Sequence, residues 1–255
     1  MRIAAFGDVH GNLVALEAVL ADMAGQRLDA MVCMGDLAFR GPRPAECVAR
    51  VRGLGIPCVH GNTDLCLLSG LDDDRARAIP AACRAPAASL PWMRWHVERL
   101  PADDLAYLAG LPFAQRLEVD GQRLLFVHAT PQDCTSSIEP SHPADAVEAR
   151  VRDIAADWLV MGHIHRAFAF RHGRLQLVNT GAVGFSLDGD PRAAYAVLDP
   201  GRGCIALRRV AYDVERALAD ARDAGFCFPA DEYERALRTG FWDAVPWERR
   251  QWSVG

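Results

Sequence analysis

At 255 residues, 51% hydrophobic and 24% charged, the chain is long enough for a complete core in one domain and has the balance of an ordinary soluble globular protein. A formal charge of −5 argues against a surface made to coat nucleic acid, and no window reaches the roughly 18 consecutive apolar residues of a membrane span. The start MRIAAF runs straight into GDVHG with neither an apolar leader core nor a cleavage site, so a cytoplasmic protein is expected.

MRIAAF (1–6) reads as a short buried strand. Leu13, Leu16, Leu20 and Met23 follow at helical spacing, with Asn12 placed as N-cap. Asp8 and His10 of FGDVHGN therefore lie on the loop leaving a strand's carboxyl end, where open α/β sheets place their ligands. MVCMG (31–35) is a second strand, Ala45, Val48 and Val51 mark a helix, and IPCVHG (56–61) is a third strand. Such alternation predicts parallel strands joined by βαβ crossovers.

From 71 to 100 the pattern breaks into a segment rich in Ala, Arg and Pro, predicted as a mostly helical insertion leaning over one sheet edge in a packing role. QRLEVDGQRLLFVHA (115–129) is a hairpin turning at Asp120-Gly121. A helix is expected around 143–156, then a buried strand in DWLVMGHIH (157–165) and a second hairpin over 167–181 turning at His172-Gly173. AAYAVLD (193–199) and CIALRRVAY (204–212) are strands of a more antiparallel half. From 213 to 255 a C-terminal helical extension carries one amphipathic helix, a second near 231–239, and an aromatic end with Phe241, Trp242, Trp247 and Trp252. No repeat or low-complexity linker divides the chain, so 1–255 is expected to be a single domain.

Five short pieces stand at strand ends: GDVHG (7–11), GDLAFRG (35–41), GNTD (61–64), VHA (127–129) and GHIH (162–165). Together they offer Asp8, His10, Asp36, Asn62, His128, His163 and His165. Carboxylates, an amide and imidazoles without a thiolate suit Mn²⁺, Fe or Zn²⁺, and Mg²⁺ less well. Seven donors are too many for one tetrahedral ion and about right for two ions sharing a carboxylate. The eight cysteines have no C-x-x-C spacing and read as reduced, mostly buried thiols.

In this order the motifs resemble the calcineurin-like metallophosphoesterases, and most of all their small bacterial and archaeal phosphodiesterase-type branch. The resemblance implies an α/β fold of two mixed β-sheets packed as a sandwich flanked by helices. It implies Asp8, His10 and His165 as ligands of a first divalent metal and Asn62, His128 and His163 as ligands of a second. Asp36 is the implied bridging carboxylate, and Asp36 and Asn62 also count as catalytic. The implied cofactor is a pair of divalent ions, Mn in first place with Fe or Zn as alternatives, holding a hydroxide for in-line attack on phosphorus.

Two departures refine the reading. Many members have a His after the Gly-Asn pair that protonates the leaving oxygen; here Thr63 stands there, and a hydroxyl is a far weaker acid than imidazolium. His60 is the candidate replacement donor, and His60 and Thr63 are both placed against substrate. Arg40 in GDLAFRG matches a pattern of the Ser/Thr phosphatase and diadenosine-tetraphosphatase branches, where the arginine reaches substrate phosphate. The expected activity is hydrolysis of phosphate esters, as a phosphodiesterase or phosphatase on small-molecule or nucleotide substrates. The alternatives are a dinucleoside-polyphosphate hydrolase, a protein or small-molecule phosphomonoesterase and, further off, a DNA nuclease or an inactive interaction module. His96, His142 and His172 are assigned no role in the site, and Asn179-Thr180-Gly181 is a candidate support behind a metal-binding histidine.

Overall fold

The computed structural model describes residues 1–84, 90–226 and 230–242. Its first half runs β1 (Ile3–Phe6), α1 (Leu13–Ala24), β2 (Ala30–Cys33), α2 (Pro44–Gly53), α3 (Asn62–Ser69), α4 (Asp73–Ala78), α5 (Leu90–Val97) and α6 (Ala102–Ala109). There follow β3 (Ala114–Val119), β4 (Gln122–Val127), α7 (Ala144–Val151), β5 (Trp158–Met161), β6 (Ala167–His172), β7 (Leu175–Thr180), β8 (Ala193–Asp199) and β9 (Cys204–Val210). Helices α8 (Val214–Asp223) and α9 (Ala230–Thr239) come last.

Strand β1 is buried along its whole length because each face meets a different layer. Ala4 and Phe6 pack with Ala15, Leu16 and Val19 of α1. Ile3 and Ala5, pointing the other way, pack with Leu124, Phe126, Trp158, Val160 and Val178 of a second sheet. The period of two is what lets one strand serve two cores. The first sheet has the order β2-β1-β8-β9, with β1 and β2 parallel and the other pairs antiparallel. The second has the order β3-β4-β5-β7-β6, with β5 parallel to both β4 and β7 and an antiparallel hairpin at each edge. Its outer face, through Leu125, Leu159 and Leu177, is covered by Val147 and Val151 of α7. The chain is thus a mixed α/β protein whose two sheets pack face to face between helices.

One predicted strand does not form. IPCVHG contributes only an isolated parallel bridge between Cys33 and Cys58. The Cys33 N–H donates to Pro57 O at 2.9 Å and Val59 N–H to Cys33 O at 3.1 Å, but Pro57 has no N–H and His60 turns its own to Pro112 O at 3.0 Å. The segment is instead a short rail that delivers Gly61 to the start of α3, a helix that the apolar spacing did not announce. The helix expected over 143–156 is the shorter α7, which ends at Val151 with Arg152 as its C-cap, while Ile154 and Ala156 pack on the same core beyond it.

The insertion holds α4, a 3-10 turn over Ala81–Cys83 and α5, while 85–89 lie outside the described residues. Ile79, Cys83 and Met93 pack into the same cluster as Leu67 and Leu68 of α3. In the C-terminal extension, Ala217, Leu218, Tyr233, Ala236 and Leu237 close around Phe185, and Trp242 lies 5.1 Å from the Phe185 ring. Trp247 and Trp252 lie outside the described residues.

Candidate metal centre

The turns that leave β1, β2, β4 and β5 converge with the first residue of α3, and all seven predicted donors meet there. Asp8 Oδ1 lies 3.3 Å from His165 Nε2 and 3.9 Å from His10 Nε2, and those two nitrogens are 3.0 Å apart. Asp36 Oδ2 is 3.5 Å from both His10 Nε2 and His128 Nε2. Asn62 Oδ1 lies 3.0 Å from His128 Nε2 and 3.1 Å from His163 Nδ1. The His163 N–H donates to Asp8 Oδ2 at 3.0 Å and closes the circuit. Within it, Asp8, His10 and His165 form one compact donor group and Asp8, Asp36 and His128 another. These five are buried, whereas Asn62 and His163 are partly exposed and mark the open side.

The backbone pays a conformational cost to aim these side chains. Asp8, His10, Asp36, His163 and His165 have φ of 52°, 46°, 55°, 73° and 56°, left-handed values that disfavour residues with a Cβ. Fixed partners hold them there. Asp8 N–H donates to Gly35 O, His10 N–H to Asp36 O and Gly11 N–H to Leu37 O, each at 2.9 Å, which zips the first two turns together. Asp64, at the third position of α3, accepts from the N–H groups of Gly61, Asp36 and Leu37 at 2.8–2.9 Å. It both caps its own helix and clamps the Asp36 turn. Asn179 Nδ2 donates to Gly162 O at 2.6 Å behind His163, and Asn12 Nδ2 to Gly184 O at 2.7 Å. A Cβ on Gly61 would sit 1.9 Å from Asp36 Oδ1, and one on Gly162 2.5 Å from Asp8 Oδ2, so both carboxylates rest in glycine cradles.

The hydrogen bonds on the far side of each ring fix the chemistry inside. Nδ1 of His10, His128 and His165 faces the carbonyl of Phe39, Met34 and Phe185 at 2.7, 2.7 and 2.8 Å. A carbonyl can only accept, so each Nδ1 carries the hydrogen and each Nε2 points a lone pair inward. His163 is reversed: Nε2 donates to Thr135 O at 2.9 Å, leaving Nδ1 bare. When the rings are neutral, four bare nitrogens, an amide oxygen and two carboxylates face one another. A cation relieves that crowding, and a proton on His10 or His163 is a poor substitute because burial pushes His10 down to about 3 and His163 down to about 4. His128 goes the other way: burial opposes its charge, yet the Asp36 and Asp8 carboxylates hold it above the ordinary histidine value. Burial likewise opposes ionisation of Asp36, but His128, His10 and the Thr63 N–H keep it well below the usual carboxylate range. The donor set fits divalent metal.

Around the open side the structure places the remaining predicted residues. Thr63 donates its N–H to Asp36 Oδ1 at 2.9 Å, and its hydroxyl is buried without a partner. His60 is partly exposed, with Nδ1 buried and unpartnered; burial and neighbouring His128 hold it below the usual histidine value. Arg40 is partly exposed at φ 77°. Its guanidinium makes no hydrogen bond or ion pair among the described residues, and its charge helps to keep His10 unprotonated.

Sequence reasoning passed over two residues that support these. Asp64 stood inside the GNTD piece, and its position three residues after Gly61 is the signal of a helix-capping carboxylate. His96 of α5 is fully buried. Its Nδ1 donates to Trp92 O at 2.6 Å, so its Nε2 accepts the Arg40 N–H at 3.1 Å and holds that strained residue. No signal in the sequence links positions 96 and 40. His172 pairs with Glu148 in the β6–β7 turn.

Known proteins resemble the chain in both sequence and shape. The family described as "Calcineurin-like phosphoesterase superfamily domain" matches residues 1–203. A metallophosphoesterase from Sphaerobacter thermophilus superposes with a TM-score of 0.75 at 29% identity, covering 93% of this chain and 99% of that one. The uncharacterized protein MJ0912 of Methanocaldococcus jannaschii is 27% identical over 232 residues, 84% of this chain and 89% of its own. A symmetrical bis(5'-nucleosyl)-tetraphosphatase of Paracidovorax citrulli is 30% identical over 160 residues, 61% of this chain and about half, 51%, of that protein.

The support network and the buried rings each set an expectation. Asp64→Ala strands three backbone N–H groups and is expected to lower unfolding stability by about 3 kcal/mol, read from urea denaturation. Burial holds His10, His96 and His163 below the ordinary histidine value of 6.5, so the unfolded chain binds more protons than the native one below that pH. In metal-free protein the three depressed histidines are therefore expected to lower the unfolding midpoint as pH drops from 6.5 toward about 4, with His128 and Asp64, which burial raises to about 7, partly offsetting the loss; a fall that is unchanged in His96→Gln, where one of the three is removed, would contradict that account.

Proposed function

The chain belongs to the calcineurin-like phosphoesterase superfamily, and from that premise we propose that it is a phosphodiesterase of small or nucleotide substrates working through two divalent ions. The observation that carries the reading is the inward convergence of Asp8, His10, Asp36, Asn62, His128, His163 and His165. In this reading Asp8, His10 and His165 hold one ion, Asn62, His128 and His163 the other, and Asp36, equidistant from His10 and His128, is shared. Bound there, the ions activate water as a nucleophile near neutral pH and neutralise the phosphoryl oxygens, with manganese as the first candidate and iron or zinc as alternatives.

The chain's own residues do the rest. The two carboxylates and the outer carbonyls keep the four imidazoles aimed, so the donor set needs no reorganisation. Asn62 lies between the second donor group and the open side, where it can orient a non-bridging oxygen. Arg40 offers an otherwise unused guanidinium fork to the phosphate. Thr63 supplies no acid, and His60 is neutral at physiological pH. The site therefore suits leaving groups that depart without taking a proton, such as aryl or nucleotide oxyanions.

The same two features favour one second reading. A nucleoside phosphate also leaves a phosphoric anhydride without protonation, and Arg40 fits a polyphosphate, so hydrolysis of dinucleoside polyphosphates is the alternative.

The deciding experiment reconstitutes metal-stripped protein with Mn²⁺, Fe²⁺ or Zn²⁺ and compares bis-p-nitrophenyl phosphate, p-nitrophenyl phosphate and a dinucleoside tetraphosphate. Preference for the diester supports the leading reading, preference for the tetraphosphate the second, and no turnover with any metal overturns both. Asp36→Asn is expected to lower bound metal below two equivalents and activity by at least about 100-fold; full metal content with full activity refutes a shared carboxylate. Arg40→Ala is expected to raise KM for phosphate substrates by about 10-fold with a smaller change in kcat, the cost of one charge-assisted contact.

A further inference from the structure

Cys83 ends the 3-10 turn of the insertion, and Cys134 lies on the loop after β4, one residue before Thr135. Both side chains are buried, and their Sγ atoms stand 2.7 Å apart. That is closer than two unbonded sulfurs rest, and within about 1 Å of a disulfide bond length. We infer that Cys83 and Cys134 form a reversible disulfide that fastens the insertion to the loop supporting His163. The bond is made by exchange with a low-molecular-weight disulfide and is opened by the corresponding thiol.

The chemistry singles out one attacking sulfur. Burial pushes both thiols up, but the hydrogen bond between them pulls Cys83 back toward its ordinary value and raises Cys134 further. Cys83 thiolate attacks one sulfur of the small disulfide, forms a mixed disulfide and expels the first small thiolate. Cys134 loses its proton and attacks Cys83 Sγ, displacing the second small thiolate as the protein bond closes. The two protons end on the two small thiols. The cysteine pair loses two electrons, and the small disulfide gains them.

The location gives the bond its consequence. Thr135 O holds His163 Nε2, and Asp133 braces the same loop by accepting from Thr135 N–H at 2.8 Å and Thr135 Oγ1 at 3.0 Å. On the other partner, the turn bearing Cys83 packs with α3, whose first residue is Asn62. Closing the bond joins parts of the chain 51 positions apart, a loop long enough to restrict the unfolded ensemble strongly. It does so behind the two partly exposed donors at the open side.

The test uses the full-length protein in glutathione buffers of graded oxidised-to-reduced ratio. The samples are acid-quenched, alkylated, digested and read by mass spectrometry. The expected result is one dominant linked peptide joining Cys83 to Cys134, absent after dithiothreitol, with Cys33 and Cys58 alkylated throughout. The oxidised form is expected to unfold on the order of 5–10 °C higher than the reduced form, a difference lost in Cys83→Ser and in Cys134→Ser. Absence of that peptide at every ratio, accumulation of glutathione on Cys83 without ring closure, or pairing of either residue with another cysteine overturns the inference. None of these readouts depends on turnover, so failure of the proposed activity leaves the result interpretable.

Discussion

The constraint on which the rest of the site depends is that lone pairs have been forced to face one another. Imidazole nitrogens of His10 and His165 stand 3.0 Å apart, and in the neutral rings each spends its N–H on a backbone carbonyl behind it. Between neutral rings that contact is repulsive without a cation, and so is the approach of the His163 Nδ1 lone pair to Asn62 Oδ1. Folding must therefore supply enough rigidity elsewhere to hold donors in an arrangement they would not choose. The carbonyls of Phe39, Met34, Phe185 and Thr135 are that supply, and they come from three different loops. A metal-binding site built this way is prepared before its ion arrives, and the preparation is charged to the scaffold.

The sandwich explains how the scaffold carries the load. Strands buried on both faces, such as β1 and β5, cannot shift without disturbing two cores at once, so the turns leaving them begin from fixed points. The left-handed donors each cost on the order of 1 kcal/mol or more, and the N–H groups of Asp8, His10, Asp36 and His163 are held by Gly35 O, Asp36 O, Asp64 and Asp8. Asp64 shows how closely support and chemistry are interleaved. It caps α3, clamps the Asp36 turn, and places a carboxylate near the site without joining the donor set.

The donors were legible because they follow apolar runs in short polar turns, five of them beside a glycine and His128 and His165 close behind the same kind of run. The same reading failed at IPCVHG, where apolar content was sufficient for a strand but Pro57 and the redirected His60 N–H removed the ladder. It missed α3 because the helix begins inside a motif whose polar residues looked like loop. His96 and the Cys83–Cys134 contact were invisible for a different reason. Both join the insertion to distant turns, and neither periodicity nor spacing encodes which buried histidine meets which strained arginine, or which of eight cysteines meet.

That failure locates where specificity resides. The donor circuit is drawn from turns that the sandwich dictates, so it defines a chemistry the superfamily shares and leaves the substrate open. Arg40 differs in kind. Its backbone sits at φ 77°, and the N–H that would otherwise be free is taken by His96 of the insertion. A segment with no motif of its own thus holds the backbone of Arg40, whose guanidinium is unpaired among the described residues. Changes in α5 that leave every metal donor untouched can move that charge relative to the phosphate, and an arginine fork is sensitive to displacement because it must meet two oxygens in one plane. In this chain the donors stand at the strand ends, while the backbone of Arg40, the proposed phosphate contact, is held by the insertion.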